Sequence, residues 1–265
     1  MEITNQTASG QLQGNVLFYS RPEPLNPDSH GKLGLRRVDA PFAFAARSQV
    51  TPLTVAEFPA AAICFPIIFA GENFQPLAVM GINAESNLFI KADGAFETGT
   101  YVPAYIRRYP FVLANDTTND KLVVCIDRDA PMLGELPDLA FFDSAGQPTE
   151  YTRNCIQFCN DFESEVRRTE SFVNLLREND LFETRQATYT PPNPGGTPGA
   201  PQTVAEFYAV SETKLKALPE AKLNEFIQNG AISQIYAHLT SLNGWDRLIS
   251  LTMTRPPATR PANLN

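Results

Sequence analysis

The hydrophobic and polar positions of this chain follow two different periods, one typical of strands and the other of helices. Between residues 58 and 129, short apolar runs are separated by Gly, Asn and Asp residues. The runs lie at 66–71, 76–82, 87–96, 110–115 and 122–129. Runs of this length with turn residues between them are typical of antiparallel strands joined by hairpins. This part of the chain therefore predicts an antiparallel meander.

Helical periodicity dominates the chain after residue 148. Apolar residues recur roughly every 3.6 positions over 149–180. They are Tyr151, Cys155, Cys159, Phe162, Val166, Val173 and Leu176. After two β-type runs, 181–190 and 203–210, the pattern is helical again as far as residue 253. We therefore predict an α+β fold, in which an antiparallel sheet is covered by one long helix and a C-terminal helical cluster.

The boundaries of the fold follow from composition. Residues 1–32 are rich in Gly, Asn and Pro and predict a flexible leader with one possible strand in the apolar run 15–20. Residues 33–253 are expected to form a single α+β domain, with an exposed loop at 191–202 that is dense in Pro and Gly. Residues 254–265 predict a flexible tail.

A capping-box pattern predicts one short helix before the meander. Thr54 is followed three residues later by Glu57, the spacing at which the two side chains satisfy each other's backbone N–H groups. Pro59 then has to lie in the first turns of the helix or kink it. We expect this helix within residues 51–65.

The stretch YVPAYIRRYPFVL, residues 101–113, predicts a stiff corner between two strands. Pro103 suits the first position of a helix, and Pro110 prevents that helix from continuing. Arg107 and Arg108 are adjacent, so a helix cannot direct both to the same side. We expect one arginine to reach inward to a carboxylate and the other to face solvent.

Charge weighs against a nucleic-acid partner, and hydropathy weighs against a transmembrane segment. The chain of 265 residues has a formal net charge of -8. A nucleic-acid surface needs clustered positive charge, so we expect no nucleic-acid partner. No apolar run is long enough to span a bilayer, and the polar start lacks the pattern of a signal peptide. We expect a soluble, cytoplasmic protein, with envelope association or export without a signal left open.

Neither the cysteines nor the histidines form a recognisable metal or catalytic pattern. The cysteines are Cys64, Cys125, Cys155 and Cys159. The first two lie in apolar runs and the last two share a helix face, which favours core packing. His30 and His238 lack metal-motif spacing, and no nucleophile motif accompanies them. We expect no metal site and no cofactor.

Three other residues have both a functional and a structural interpretation. Asp127 and Asp129 end a β-type run, with the spacing that places both on one side of a strand, where they could bind a cation or act as acid and base. The alternative is a solvated turn in which one of them pairs with Arg107 or Arg108. Trp245 could anchor a ligand or partner, or fill the core at a helix junction.

Several separate motifs occur in the order found in one protein family. They are EFPAAAICFPIIF, PLAVMGI, YVPAYIRRYPFVL, VVCIDRDAPML and LNEFIQNGAISQIYAHLTSLNGWDRLI. Through these motifs, residues 34–252 resemble the SapC family of bacterial proteins, not the membrane permease that shares the name. The resemblance implies a surface-layer-associated or envelope-linked role, through the family's name alone, and provides no catalytic residues. Family genes often lie near outer-membrane receptors and flavin-dependent halogenases, which points to a small-molecule or uptake context.

Our hypothesis from the sequence is a non-enzymatic binding or accessory protein that recognises an envelope or surface-layer polypeptide. Its candidate contact residues are Tyr101, Tyr105, Arg107, Arg108, Asp127, Asp129 and Trp245. The alternative is a small-molecule-binding protein, or an enzyme of unknown reaction, with a pocket lined by the same residues. A deep pocket with convergent polar groups would favour this alternative, and a broad exposed aromatic patch would favour the binding protein. A structural subunit of the layer itself is a third hypothesis.

Overall fold

A computed structural model of the chain describes residues 17–83, 85–116, 121–190 and 199–254. The strands are β1 (Pro22–Pro24), β2 (Leu33–Leu35), β3 (Val50–Pro52), β4 (Ile67–Ala70), β5 (Gln75–Val79), β6 (Phe111–Asp116), β7 (Lys121–Asp127), β8 (Leu133–Glu135), β9 (Leu139–Ala140), β10 (Phe182–Tyr189) and β11 (Gln202–Val210). The α-helices are α1 (Pro27–His30), α2 (Phe58–Ala61), α3 (Ala104–Arg107), α4 (Glu150–Glu178), α5 (Glu212–Lys216), α6 (Glu220–Gln228), α7 (Ala231–Ser241) and α8 (Gly244–Thr254). Antiparallel sheets, one long helix and a C-terminal helical cluster confirm the α+β fold that the sequence predicts.

Parts of the predicted loop and tail, residues 191–198 and 255–265, lie outside the described residues. Within the described ranges, no helix combines the length and the apolar composition that crossing a membrane requires.

The chain forms two compact units, each built from two separate stretches. The first unit comprises the residues up to Pro41 and residues 107–164, and the second unit comprises residues 42–106 and the residues from Glu165 onward. The single domain expected over residues 33–253 stays a prediction, and the two units are compact regions of the chain. Composition did not reveal the division, because two of the three crossing points fall inside helices, α3 and α4, where no Gly- or Pro-rich segment marks them.

Two three-stranded antiparallel sheets form the first unit, in the orders β1-β7-β6 and β8-β2-β9. The sequence predicted a flexible leader over residues 1–32 with one possible strand at 15–20. Residues 1–16 lie outside the described part of the chain, and residues 17–32 contain β1 and α1. Tyr19 holds this segment in place. Its ring packs against Cys125 in a buried cluster, and its hydroxyl donates a hydrogen bond to Phe111 O at 2.6 Å. An aromatic ring with a hydrogen-bonded hydroxyl contributes apolar burial without leaving a polar group unsatisfied.

A five-stranded antiparallel sheet, in the order β10-β11-β4-β5-β3, organises the second unit. Strands β11 and β4 pair only at Tyr208 and Phe69. Phe69 contacts the ring of Phe58 in α2, whereas Phe207 stacks on Trp245 in α8 with ring centroids 5.4 Å apart. Because successive side chains of a strand point to opposite faces, residues from helices cover the sheet on both sides.

The region around residue 55 differs from the predicted single helix. In place of one helix within 51–65, the chain forms β3, then a 3₁₀ turn at Val55–Glu57, then α2. Pro59 lies in the first turn of α2, the position at which a helix tolerates a missing N–H. Farther along, residues 87–96 make only an isolated bridge between Ile90 and Phe96 rather than a strand.

His238, in α7, lies where β4 and β11 separate. Its Nε2 accepts a hydrogen bond from Val210 N at 3.1 Å, so Nδ1 carries the proton and donates to Ile67 O at 2.9 Å. Ser241 Oγ accepts a hydrogen bond from Ile67 N at 2.9 Å. His238 is fully buried, and this burial lowers its pKa to about 4. Val210 N and Ile67 O lie where the two strands diverge, so they cannot bond to each other. The neutral His238 ring bonds to both of these backbone groups instead.

We predict that His238 makes the fold sensitive to mild acid. In the unfolded chain the pKa of His238 is near 6.5, whereas in the folded chain it is about 4. Between these two pH values, the unfolded state binds a proton that the folded state does not bind. Stability should not change above pH 6.5 from this cause. It should fall by about 2 kcal/mol between pH 7 and pH 5. Urea unfolding of the parent chain and of His238→Gln at both pH values measures the difference.

The variant should lose most of this acid-dependent decrease. Burial also lowers the pKa of His30, which is present in both chains and contributes equally to each. An equal decrease in the parent chain and in His238→Gln would contradict the assignment to His238.

Candidate functional site

The carboxylate of Glu57 holds the beginning of the stretch 101–113 in the second unit. Glu57 is 6% exposed. Its Oε2 accepts hydrogen bonds from the N–H and the hydroxyl of Thr54, at 2.8 and 2.9 Å. Its Oε1 accepts from the Tyr101 hydroxyl at 2.9 Å and from Ala104 N at 2.7 Å. Donors of this kind offset the loss of water around a buried charge, so the Tyr101 hydroxyl is committed to an internal contact.

Helix α3 occupies the part of the stretch that its prolines predict. Pro103 precedes the helix, and Pro110 prevents its continuation into β6. Tyr105 is buried, with 9% of its surface exposed. The division between the two units falls within this helix, immediately before Arg107. The stretch therefore contributes residues to both units.

The two adjacent arginines occupy different environments in the first unit, as helical geometry predicts. Arg107 is exposed, and its guanidinium lies 5.1 Å from the centre of the Phe158 ring. Arg108 is half-buried and lies over the Phe162 ring at 4.6 Å and the Tyr19 ring at 5.8 Å. The negative face of an aromatic ring attracts a cation, more strongly where water is partly excluded. Arg108 is therefore the inward-facing arginine.

One of our alternatives placed Asp127 at a solvated turn. The residue is instead buried, with 1% of its surface exposed. Its Oδ1 accepts a hydrogen bond from Arg21 N at 2.8 Å. Its Oδ2 accepts from Ser20 N at 3.2 Å and from the Tyr109 hydroxyl at 3.0 Å. Burial and the adjacent carboxylate raise the pKa of Tyr109, so its hydroxyl stays protonated and donates. Pairing of β1 with β7 brings the backbone donors into place.

Asp129 does not share a strand face with Asp127, because β7 ends at Asp127. Its carboxylate pairs with the Arg21 guanidinium at 2.8 Å, and both side chains are about half exposed, at 52% and 55%. The arginine that pairs with this carboxylate is therefore Arg21, a residue that the sequence analysis did not consider. The carboxylates of the two aspartates therefore make separate contacts, Asp127 with backbone N–H groups and the Tyr109 hydroxyl, and Asp129 with Arg21.

Trp245 lies in the core of the second unit. It is 8% exposed and stacks on Phe207 at an interplanar angle of 26°. Its indole Nε1 has no hydrogen-bond partner in the part of the chain that the structure describes. The structural interpretation of Trp245 therefore describes its position better than a ligand anchor does.

The first unit links two of the candidate residues, Arg108 and Asp127, through a pair of tyrosines. Arg108 lies over the Tyr19 ring, the rings of Tyr19 and Tyr109 meet edge to face at 5.2 Å, and the Tyr109 hydroxyl reaches Asp127. Sequence reasoning missed Tyr19 because it assigned this residue to the leader. The signal that could have identified it is an aromatic residue within the one apolar run of that segment.

The thiols behave as core residues where they are most buried. Burial raises the pKa of Cys125 and of Cys159 to about 11, so both remain protonated and unreactive at neutral pH. Across the described ranges, no group of His, Cys, Asp and Glu side chains is arranged to hold a metal ion.

A family-level match covers both units. The sequence model of the SapC family matches residues 25–248, most of the chain. The chain belongs to the SapC family. No curated protein and no solved structure matched it. The SapC match contains Glu57, Asp127 and the whole of the stretch 101–113, whereas Ser20 and Arg21, which donate to Asp127, precede it.

We predict unequal effects from the two adjacent arginines. Arg108→Ala should lower the free energy of unfolding by about 1–2 kcal/mol, because it removes the contacts with two rings and the packing of the aliphatic stem. Arg107→Ala should cost less than about 0.5 kcal/mol. Urea unfolding measures both, and Arg108→Met, which keeps an apolar stem, should fall between them. Equal and small losses would show that Arg108 has no packing role.

The two aspartates should also differ. Asp127→Asn should cost about 2–3 kcal/mol, because a neutral amide accepts weaker hydrogen bonds and turns an N–H group toward backbone donors. Asp129→Asn should cost less than about 1 kcal/mol, since its ion pair with Arg21 is exposed. Thermal unfolding of the two variants, with Tyr109→Phe to remove one donor alone, tests the ranking. A larger loss at Asp129 would reverse our assignment.

Proposed function

We propose that this chain is a non-catalytic binding protein that recognises a polypeptide of the bacterial envelope or surface layer. The family's name motivates the choice of partner. The contact surface is suggested by one residue, Leu136, between β8 and β9 of the first unit. The seven contact residues chosen from the sequence are less suitable, because four of them, Tyr101, Asp127, Trp245 and Tyr105, are buried or committed to internal hydrogen bonds.

Leu136 combines two unfavourable properties that folding alone does not explain. Its side chain is 96% exposed, and its backbone has a φ of +55°, the left-handed region. A branched residue in this region costs on the order of 1–3 kcal/mol. A single exposed leucine is common on protein surfaces, but an exposed leucine in a strained conformation gains nothing within the chain. Contact with a partner would explain both the exposure of the side chain and the positive φ.

The loop that carries Leu136 is held in position by its neighbours. Arg37 N donates a hydrogen bond to Asp138 Oδ2 at 2.8 Å, and Arg36 Nη2 donates to Leu133 O at 3.3 Å. Gly134 leaves room for the Arg36 side chain, whose atoms would lie within 2.7 Å of a Cβ at that position. A loop that is already ordered loses less conformational entropy on binding.

The surroundings of Leu136 suggest the chemistry of the partner. Leu139 nearby is 45% exposed and extends the apolar contact. Glu135 and Asp138 are exposed on either side of Leu136. An apolar pocket with basic residues at its rim would complement this arrangement.

An enzymatic function is less well supported, because the buried groups best suited to proton transfer are already used. Glu57 and Asp127 accept several internal hydrogen bonds each, and both ring nitrogens of His238 bond to the backbone. A general acid or base needs a free site within reach of a substrate proton.

Small-molecule binding is a second candidate, favoured by one cavity in the second unit. It has a volume of about 440 Å³ and lies between the end of β10 and α8. Tyr189, Asp246, Ser250 and Met253 are among its lining residues, and none of the seven residues chosen from the sequence is. One carboxylate, several hydroxyl groups and an aromatic ring would suit a neutral polyhydroxylated ligand or an amine.

The proposal predicts that one leucine controls binding. The tagged chain should capture an envelope or surface-layer polypeptide from a lysate of its own host, identified by mass spectrometry, and should bind it again after purification. Leu136→Gly should abolish capture. Because glycine adopts a positive φ freely, stability should stay within about 1 kcal/mol of the parent chain.

The matched control is Ile63→Gly, which removes an apolar side chain that is 80% exposed in the second unit. This variant should retain capture. Capture that survives Leu136→Gly would remove Leu136 from the proposal, and failure to capture any envelope polypeptide would remove the proposal itself. In the second case, mass spectrometry of the purified protein under native conditions would test the small-molecule candidate.

A further inference from the structure

Strand β10 is an edge strand whose outer side is open. It pairs with β11 on its inner side, and no other described strand pairs with it. Leu181 O accepts a hydrogen bond from Ser211 N at 2.7 Å, so residue 181 directs its carbonyl inward. Backbone direction alternates along a strand. The even-numbered residues from Phe182 to Thr188 therefore direct their N–H and C=O groups outward.

The alternation is preserved to the end of the strand despite an irregularity. Ala187 pairs with Ala205, and Thr188 pairs with Thr203. The extra residue, Val204, therefore belongs to β11, and β10 itself remains regular.

Lys214 closes one end of this edge. Its ammonium donates a hydrogen bond to Phe182 O at 2.9 Å, which confirms that this carbonyl faces outward. A lysine at a sheet edge is a common protection against strand pairing. The open edge that remains consists of the backbone groups of Thr184, Gln186 and Thr188, whose side chains are all exposed.

Strand β10 has no net charge that would protect its open edge from pairing with another strand. Glu183 and Arg185 are the charged residues of this strand, and they pair with each other at 2.7 Å. Two other edge strands are shorter and contain proline: β3 has three residues and ends at Pro52, and β1 begins and ends with proline. Strand β10 has eight residues and contains no proline.

We propose that the open edge pairs with the same edge of a second copy of this chain, with the two β10 strands antiparallel about a two-fold axis at Gln186. A two-fold contact requires a surface that complements itself. In this register Gln186 meets Gln186 of the other copy, and Thr184 meets Thr188 of the other copy. Each of these pairs exchanges backbone hydrogen bonds, and the two five-stranded sheets become one.

Two of the neighbouring registers are unfavourable. An axis at Thr184 would need Phe182 O, which Lys214 already occupies. An axis at Arg185 would place two arginines directly opposite each other, and like charges in that position are destabilising. The axis at Gln186 uses all three residues of the open edge and opposes no like charges.

Side chains beside the open edge suit the same register. Gln186 Nε2 donates to Glu206 Oε2 at 2.9 Å, which orients the amide and leaves its carbonyl oxygen for the Gln186 amide of the other copy. Threonine side chains opposite each other on neighbouring strands are a favourable cross-strand pair.

Sedimentation velocity over a dilution series tests the dimer. The parent chain should dissociate from dimer to monomer as it is diluted. Gln186→Pro should weaken the dimer at least about tenfold, because it removes an outward N–H at the axis without removing a bond to β11. Gln186→Glu should also weaken it, since two carboxylates would then meet. Gln202→Glu, the same change on the inner strand β11, should leave the dimer intact.

Cysteine substitution tests the register. Under mild oxidation, Gln186→Cys should form a disulfide with itself across the axis, since paired Cα atoms lie about 5.5 Å apart, within disulfide range. Thr184→Cys should not link to itself but should link to Thr188→Cys when the two variants are mixed. The parent chain, oxidised in parallel, accounts for linkage through its own four cysteines.

A parent chain that is monomeric at every concentration would overturn the proposal. So would a dimer that both Gln186 variants leave unchanged, and self-linkage of Thr184→Cys would overturn the register. If Gln186→Pro fails to fold by circular dichroism, Gln186→Glu decides the outcome. These measurements use the purified chain alone, so their failure is distinct from the failure of envelope-polypeptide binding.

Discussion

A carboxylate that is removed from water has to be surrounded by hydrogen-bond donors, and this constraint shapes both ends of the stretch 101–113. In the second unit, Glu57 accepts hydrogen bonds from Thr54, from the Tyr101 hydroxyl and from the backbone at the start of α3. In the first unit, Asp127 accepts hydrogen bonds from the Tyr109 hydroxyl and from the backbone N–H groups that precede β1. Loss of the donors would leave a buried charge, which costs more than one hydrogen bond. Tyr101 and Tyr109 of this stretch therefore each donate to a buried carboxylate of the fold.

Elements with a long periodic pattern were predictable from the sequence, and elements set by short runs were not. Helix α4 and the pair β10–β11 were predicted because their patterns extend over many residues. The region of Pro52 and Pro59 was misassigned as one helix, since a short apolar run with prolines fits several backbone conformations. The division into two units was also missed. Two of its three crossing points fall inside helices, where the local pattern continues without interruption.

The candidate site was less predictable because its contacts join distant residues. The spacing of Thr54 and Glu57 identified a local cap, but it contained no information about Tyr101. His238 lies 171 residues from its acceptor, Ile67 O, and only the separation of two strands explains why a histidine is needed there. Leu136 carries no signal in its neighbouring sequence, because exposure and a positive φ are properties of the folded backbone.

The contacts of Asp127 also show that the folded first unit of this chain extends beyond the family match. The family match starts at residue 25, after Tyr19 and after the two N–H groups that Ser20 and Arg21 donate. A chain cut at that boundary would lose β1 and leave a buried carboxylate with fewer donors, beside a cluster stripped of an aromatic ring. Similarity between sequences does not register such donors, since any residue other than proline supplies the same N–H. Many residue types could therefore supply the two N–H groups of Ser20 and Arg21, whereas the buried ring and the hydroxyl of Tyr19 need a tyrosine.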